Sequence, residues 1–150
     1  MATRIYFDNC SYNRPVDDQK DLKIQEETQA KMFIQALVRY NSLDLVYSSI
    51  SLQEIYDSPF EENKISVLEF IEQNAKFYIG KDNNEAAISL TREVMQKGVK
   101  LKDASHVAFA ILAKCDYLIT TDKGLLKYKD ERIQIVNPIY FAETWRKNYE

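Results

Sequence analysis

At 150 residues the chain fits a single domain, spanning 1–150, with a formal net charge of −3. Hydrophobic residues make up 45% and charged residues 29%, the balance of a globular chain rather than a disordered one. One His, two Cys and three Gly exclude an HExxH zinc site, a Cys₄ ribbon, and GxGxxG or Walker A phosphate loops. The abundant site-building group is carboxylate, with 23 Asp and Glu.

The opening stretch MATRIYFDNC carries charges at Arg4 and Asp8 and lacks the apolar centre of a signal peptide. No segment approaches the roughly 18 apolar residues of a membrane helix. The expectation is a cytoplasmic protein that contacts no membrane and has reduced Cys10 and Cys115, the latter as a small core residue. Charge is uneven. Residues 97–132 hold eight Lys/Arg against five Asp/Glu, a local +3 that permits nucleic acid without demanding it.

In chain order, residues 3–7 read as a short buried strand ended by Asp8-Asn9, and 11–24 as a polar loop. Residues 26–40 carry a helical stripe of Ala30, Phe33, Ile34, Leu37 and Val38. Residues 45–49 form a second strand, followed by a short helix opened by Ser51. Residues 61–74 read as a helix with Ile65, Leu68 and Ile71 on its inner face, and 76–79 as a third strand closed by Gly80. A helix over 84–97, with Ala87, Ile88, Thr91, Val94 and Met95 inward, ends at Gly98 as C-cap. The clearest helix spans 103–114 through Ala104, Val107, Ala108, Ile111 and Leu112. A strand at 117–120, a short helix at 123–128, a strand at 133–136 and a helix at 139–147 complete the chain. Tyr6, Tyr47 and Tyr117 lie in strands and are assigned to the core. Strands alternating with helices predict a three-layer α/β/α sandwich around a central, mostly parallel five-stranded sheet.

In such folds ligands bind beyond the carboxyl ends of the strands. Asp8 stands just past the first strand and Asp122 just past the fourth. Glu54 lies in the first turn of the helix after the second strand. Asp103 opens the helix that runs back before the fourth strand, which brings it to the same edge. Four converging carboxylates repel one another. A hard divalent cation, Mg²⁺ or Mn²⁺, relieves that repulsion with oxygen ligands alone and is suited to phosphodiester hydrolysis. Each acid also has a structural reading. Ser51-x-x-Glu54 matches a capping box, Asp103 and Asp122 fit helix N-termini, and Asp8 fits a turn.

Three stretches resemble the PIN-domain (PilT N-terminus) ribonucleases, which include the VapC-type toxins. They are Ile-Tyr-Phe-Asp8-Asn-Cys, Ser-Ser-Ile-Ser-Leu-Gln-Glu54-Ile, and the long run from Leu101-Lys-Asp103-Ala-Ser-His106 to Thr120-Thr-Asp122-Lys123-Gly-Leu. In that run an Asp opens an Ala-rich helix and the next strand ends in Thr-x-Asp. The resemblance covers essentially the whole chain. It implies metal-dependent cleavage of single-stranded RNA, leaving a 3′-hydroxyl and a 5′-phosphate. Asp8, Glu54, Asp103 and Asp122 would be both the catalytic residues and the metal ligands, with Glu54 orienting or deprotonating the attacking water. It also implies a homodimer and, for a toxin, a small antitoxin protein covering the acidic pocket.

Around the quartet stand Asn9, Thr120, His106, Lys123 and Arg14. By the family pattern Thr120 helps shape the pocket and Asn9 follows the first Asp. His106 reads either as a site residue or as a hydrogen-bonded helix residue. Lys123 reads either as an RNA contact or as a solvated lysine, and Arg14 either as a phosphate contact or as a loop anchor. The alternative for the whole chain is a PIN-like module that binds RNA or a protein without cutting.

Overall fold

The apolar run Ile5-Tyr6-Phe7 becomes the middle of a sheet. A computed structural model describes residues 2–8, 21–80 and 84–149. The strands are β1 (Thr3–Phe7), β2 (Leu43–Ser48), β3 (Phe77–Ile79), β4 (Tyr117–Ile119) and β5 (Gln134–Val136). Their order is β3-β2-β1-β4-β5, and every pairing is parallel. The helices are α1 (Leu22–Arg39), α2 (Ser49–Tyr56), α3 (Glu61–Asn74), α4 (Asn84–Met95), α5 (Leu101–Leu112), α6 (Lys123–Leu126) and α7 (Pro138–Tyr149).

Strand side chains alternate between two cores, as a pleated sheet covered on both faces requires. Ile5, Phe7, Leu45 and Ile119 pack with Ile34 and Val38 of α1, Val67, Phe70 and Ile71 of α3 and Phe141 of α7. Tyr6, Val46 and Leu118 face the other way, against Ala87 and Val94 of α4, Ala104, Val107 and Ala110 of α5, and Leu125 of α6. This is the expected three-layer α/β/α sandwich, and its sheet is entirely parallel. Strand order reverses at β1, with β2 on one side and β4 on the other. That boundary opens the crevice in which such sheets hold ligands.

Several local expectations need correction. Helix α1 begins at Leu22, capped by the Asp21 side chain, which accepts from the Ile24 N–H at 3.1 Å, so the polar segment is helical from Leu22 onward. Ile65 is 55% exposed, and Val67, Phe70 and Ile71 form the inner face of α3 instead. Ile88 and Met95 lie on the outer side of α4. Tyr6 is fully buried, but Tyr47 and Tyr117 are only half-buried. Gly98 follows α4 at φ +99° and its N–H donates to Met95 O at 2.9 Å, the left-handed turn expected of a C-cap glycine. Cys115 is buried, and that burial pushes its thiol up to about 12, which makes it an inert core residue. On α1 the charged and amide residues Glu27, Lys31 and Gln35 are buried at i, i+4 spacing, a stripe the apolar periodicity concealed. The Asn137 amide, just past β5, donates to Glu27. Asn9, Cys10 and Arg14 lie outside the described residues. Among the described residues, no helix is long and apolar enough to cross a membrane.

Candidate metal centre

Asp8 leaves the carboxyl end of β1 and is 2% exposed. Its N–H still donates to Ile119 O at 2.9 Å, so the strand pairing carries it to the boundary between β1 and β4. A buried carboxylate needs compensation. Thr120, wholly buried at the end of β4, donates its hydroxyl proton to Asp8 Oδ2 at 2.6 Å. The same oxygen, Thr120 Oγ1, accepts the Asp122 N–H at 3.0 Å, so one hydroxyl ties two acids together.

Asp122 is the N-cap of α6, and its Oδ1 accepts from the N–H groups of Gly124 at 2.8 Å and Leu125 at 3.3 Å. Capping and proximity to the cluster therefore coexist in this residue. Lys123 beside it is exposed.

Glu54 is placed differently from expectation. The capping box at the head of α2 is formed by Ser48 and Ser51, not by Ser51 and Glu54. Ser51 N–H donates to Ser48 Oγ at 3.1 Å, and Ser48 N–H donates to Ser51 Oγ at 3.2 Å. Since Ser49 is the first helical residue, Glu54 falls in the second turn, and its carboxylate is free of capping duty. It accepts from His106 Nε2 at 2.7 Å.

Asp103 does not open its helix. Lys100 holds the N-cap position with no side-chain cap, and Asp103 is the third residue of α5, within the first turn. Burial is the largest cause holding its carboxyl up at about 6, and the charges of Asp122, Asp8 and Glu54 add to it while His106 opposes. All four predicted acids therefore share one electrostatic neighbourhood. The closest grouping among the described residues is Asp8, Glu54 and His106, whose candidate ligand atoms lie within 4.8 Å of one another. His106 thus belongs to the tightest of these groupings. It is 1% exposed, with Nε2 at 3.8 Å from Asp8 Oδ1. Burial alone would keep the imidazole neutral, but Tyr6, Glu54 and Asp8 outweigh it and raise its pKa well above the usual value.

Reading the sequence by strand ends missed the supports of the site: Tyr6, Ser48 and Ser51. A tyrosine at the centre of a buried strand was the available signal, because its hydroxyl must find a partner.

The raised pKa of Asp103 has a stability consequence of definite sign. A carboxyl whose folded pKa exceeds its unfolded value favours folding when protonated. That contribution is intact below about pH 4 and is lost as pH rises through about 6. The displacement is worth at most roughly 3 kcal/mol, and solvent screening of a half-buried group reduces the expected net to about 1 kcal/mol. Asp103→Asn should therefore gain about 1 kcal/mol on the parent protein between pH 4 and pH 6.5, in chelator. Urea denaturation across that range measures it, and a pH-independent difference would refute it.

No family model matches the chain, and no curated protein matches it. Solved structures do match. VapBC2 from Rickettsia felis, bound to a DNA fragment from its promoter, aligns with a TM-score of 0.56 at 16% identity, covering 90% of this chain and 98% of that one. FitAcB from Neisseria gonorrhoeae aligns with a TM-score of 0.55 at 15% identity, covering 89% and 97%. At these identities the likeness is one of fold, and the fold is VapC-like, in agreement with the family that the sequence motifs resemble.

Proposed function

We propose that this protein is a divalent-metal-dependent endoribonuclease of the PIN type, cutting single-stranded RNA as the toxin of a toxin–antitoxin pair. The observation that carries the reading is the gathering of Asp8, Glu54 and His106 within 4.8 Å, with Asp103 and Asp122 in electrostatic contact, at the point where strand order reverses. The likeness to VapBC2 supports the toxin–antitoxin role.

The donor set fits a hard cation. It is rich in carboxylate oxygen, and Asp103 feels the charges of Asp122, Asp8 and Glu54 in addition to its burial. Asp8, Asp103 and Asp122 would hold Mg²⁺ or Mn²⁺, with Glu54 completing the set. When bound, such an ion neutralises phosphate charge, lowers the pKa of a water and stabilises the leaving oxygen. The chain's own residues do the rest. Glu54, free of capping duty, orients the attacking water and accepts its proton. Thr120 fixes Asp8 and Asp122 relative to each other. Exposed Lys123 meets the RNA phosphates, and the positive segment 97–132 steers RNA to an otherwise acidic protein. The products are a 3′-hydroxyl and a 5′-phosphate. A short antitoxin whose C-terminal segment covers the acidic pocket, a homodimer and a cytoplasmic setting complete the proposal.

The non-catalytic alternative draws on Asp122, whose Oδ1 already serves two backbone N–H groups. One experiment separates the two readings. A labelled single-stranded RNA is incubated with the protein in Mn²⁺, in Mg²⁺ and in excess EDTA, and the product ends are typed. The nuclease reading expects cleavage in metal only, with 5′-phosphate ends. Cleavage that survives EDTA, or none with any metal, refutes it.

A further inference from the structure

Glu54 is carried on a flexible side chain in the second turn of a short helix, with its side chain 18% exposed. An unrestrained glutamate there would sample solvent, because its long side chain has several rotatable bonds and many accessible rotamers. We infer that Tyr6 and His106 are positioning residues that hold the Glu54 carboxylate against the acidic cluster through one continuous chain of buried hydrogen bonds.

The chain can be followed atom by atom. His106 Nε2–H donates to Glu54 Oε1 at 2.7 Å. The other ring nitrogen, Nδ1, pairs with the Tyr6 hydroxyl at 2.6 Å, and the two rings meet edge to face at 5.4 Å. The Tyr6 oxygen lies 2.6 Å from Ser48 Oγ and 3.0 Å from Ser51 Oγ. Nε2 carries a proton for Glu54 whether the ring is neutral or charged. In the charged ring Nδ1–H donates to the Tyr6 oxygen, whose own proton goes to a serine oxygen; in the neutral ring Nδ1 accepts from Tyr6, whose oxygen accepts in turn from the serines. Every group is satisfied, as a buried polar network requires.

The arrangement exceeds what packing needs. His106 stands on the inner face of α5, among Ala104, Val107 and Ala110. A leucine would fill that space, but would leave Tyr6 without its ring partner and Glu54 without a donor. The serines that hold Tyr6 are also those that start α2, the helix bearing Glu54. The position of Glu54 is therefore set from both ends, by its own helix and by β1 and α5 through the ring.

The catalytic consequence rests on the nuclease reading, while the hydrogen bond itself does not, so the test has two readouts on the full-length chain. The first is the imidazole ring proton, followed by ¹⁵N-histidine NMR in chelator, where the single histidine gives one unambiguous set of signals. Nε2–H should be protected from solvent exchange, and Glu54→Ala should speed its exchange by about tenfold or more, the ratio expected when a bond to a charged group is lost. Unchanged exchange overturns the inference, even if no RNA is ever cut. The second readout is cleavage. His106→Leu should lower kcat roughly 10- to 100-fold with KM within about twofold. His106→Gln, which keeps a donor near the position of Nε2, should recover much of that loss. Tyr6→Phe, which removes one oxygen, should lower kcat in the same way and covers the case in which His106→Leu fails to fold. Full kcat in a folded His106→Leu protein, or equal losses for Leu and Gln, overturns the positioning role. A parent protein that cuts nothing refutes the nuclease reading alone, and the ring proton still decides the bond.

Discussion

Asp8→Asn should abolish metal-dependent RNA cleavage, lowering it on the order of 10³-fold, while the protein stays folded. The amide occupies the volume of the carboxylate, and its carbonyl oxygen can still accept the Thr120 hydroxyl that now serves Asp8 at 2.6 Å. What disappears is the charge. Asp8 is the most deeply buried of the four acids, set at the boundary between β1 and β4, where no water can replace it as an anionic ligand. Losing several kcal/mol of electrostatic stabilisation in the transition state corresponds to a factor of that order. Initial rates on labelled RNA, parent against variant, measure the loss. Thermal shift with Mn²⁺ should report the same change, because an ion that binds only the native state raises its melting temperature and the variant should respond far less. Wild-type rates in Asp8→Asn would remove the acidic cluster from the mechanism.

Phe7→Ala should be the most damaging core substitution next to the site, costing about 3–5 kcal/mol. Phe7 is 1% exposed, pairs with Ile119 across β1 and β4, and packs among side chains from α1, α3 and α7. Its removal opens a cavity in the centre of the molecule, where three helices would have to collapse together to fill it. For a domain whose whole stability is typically 5–15 kcal/mol, the loss is a large fraction. Urea denaturation should show a much lower midpoint at unchanged slope. A cost under about 1 kcal/mol would mean that the two layers repack freely around the strand. Because Asp8 is the next residue, the variant should also lose metal affinity beyond its loss of stability.

The fold was legible because two periods of apolar residues alternate cleanly along the chain. Short apolar runs such as Ile5-Tyr6-Phe7 and Leu118-Ile119, bounded by polar residues, read as strands buried on both faces. The span of α3 was also plain, with Pro59 just before it and Glu61 and Glu62 in its first turn. The side it buries was not plain, because Ile65-Leu68-Ile71 and Val67-Phe70-Ile71 both satisfy a helical repeat, and packing against the sheet decided for the second. The same ambiguity misplaced the start of α2. Ser48, Ser49 and Ser51 all suit an N-cap, and the choice of Ser48 depends on the Tyr6 hydroxyl, 42 residues away. The acids were legible as a set because each stands near a strand end or a helix end. Their common support was not, since the bond from Tyr6 to His106 joins residues separated by 100 positions and no local pattern announces it.

Among the inner strands β1 and β2 have five and six residues and β4 three, and the outermost strands, β3 and β5, have three each. An exposed strand border is where a foreign chain can add itself, and shortness is one of the ways proteins discourage it. None of the four acids hangs from those outer strands. Asp8 and Asp122 follow strands paired on both sides, Glu54 rides on the helix after β2, and Asp103 rides on a covering helix. The borders most open to unwanted self-association are therefore physically separate from the chemistry, and wear at one need not blunt the other.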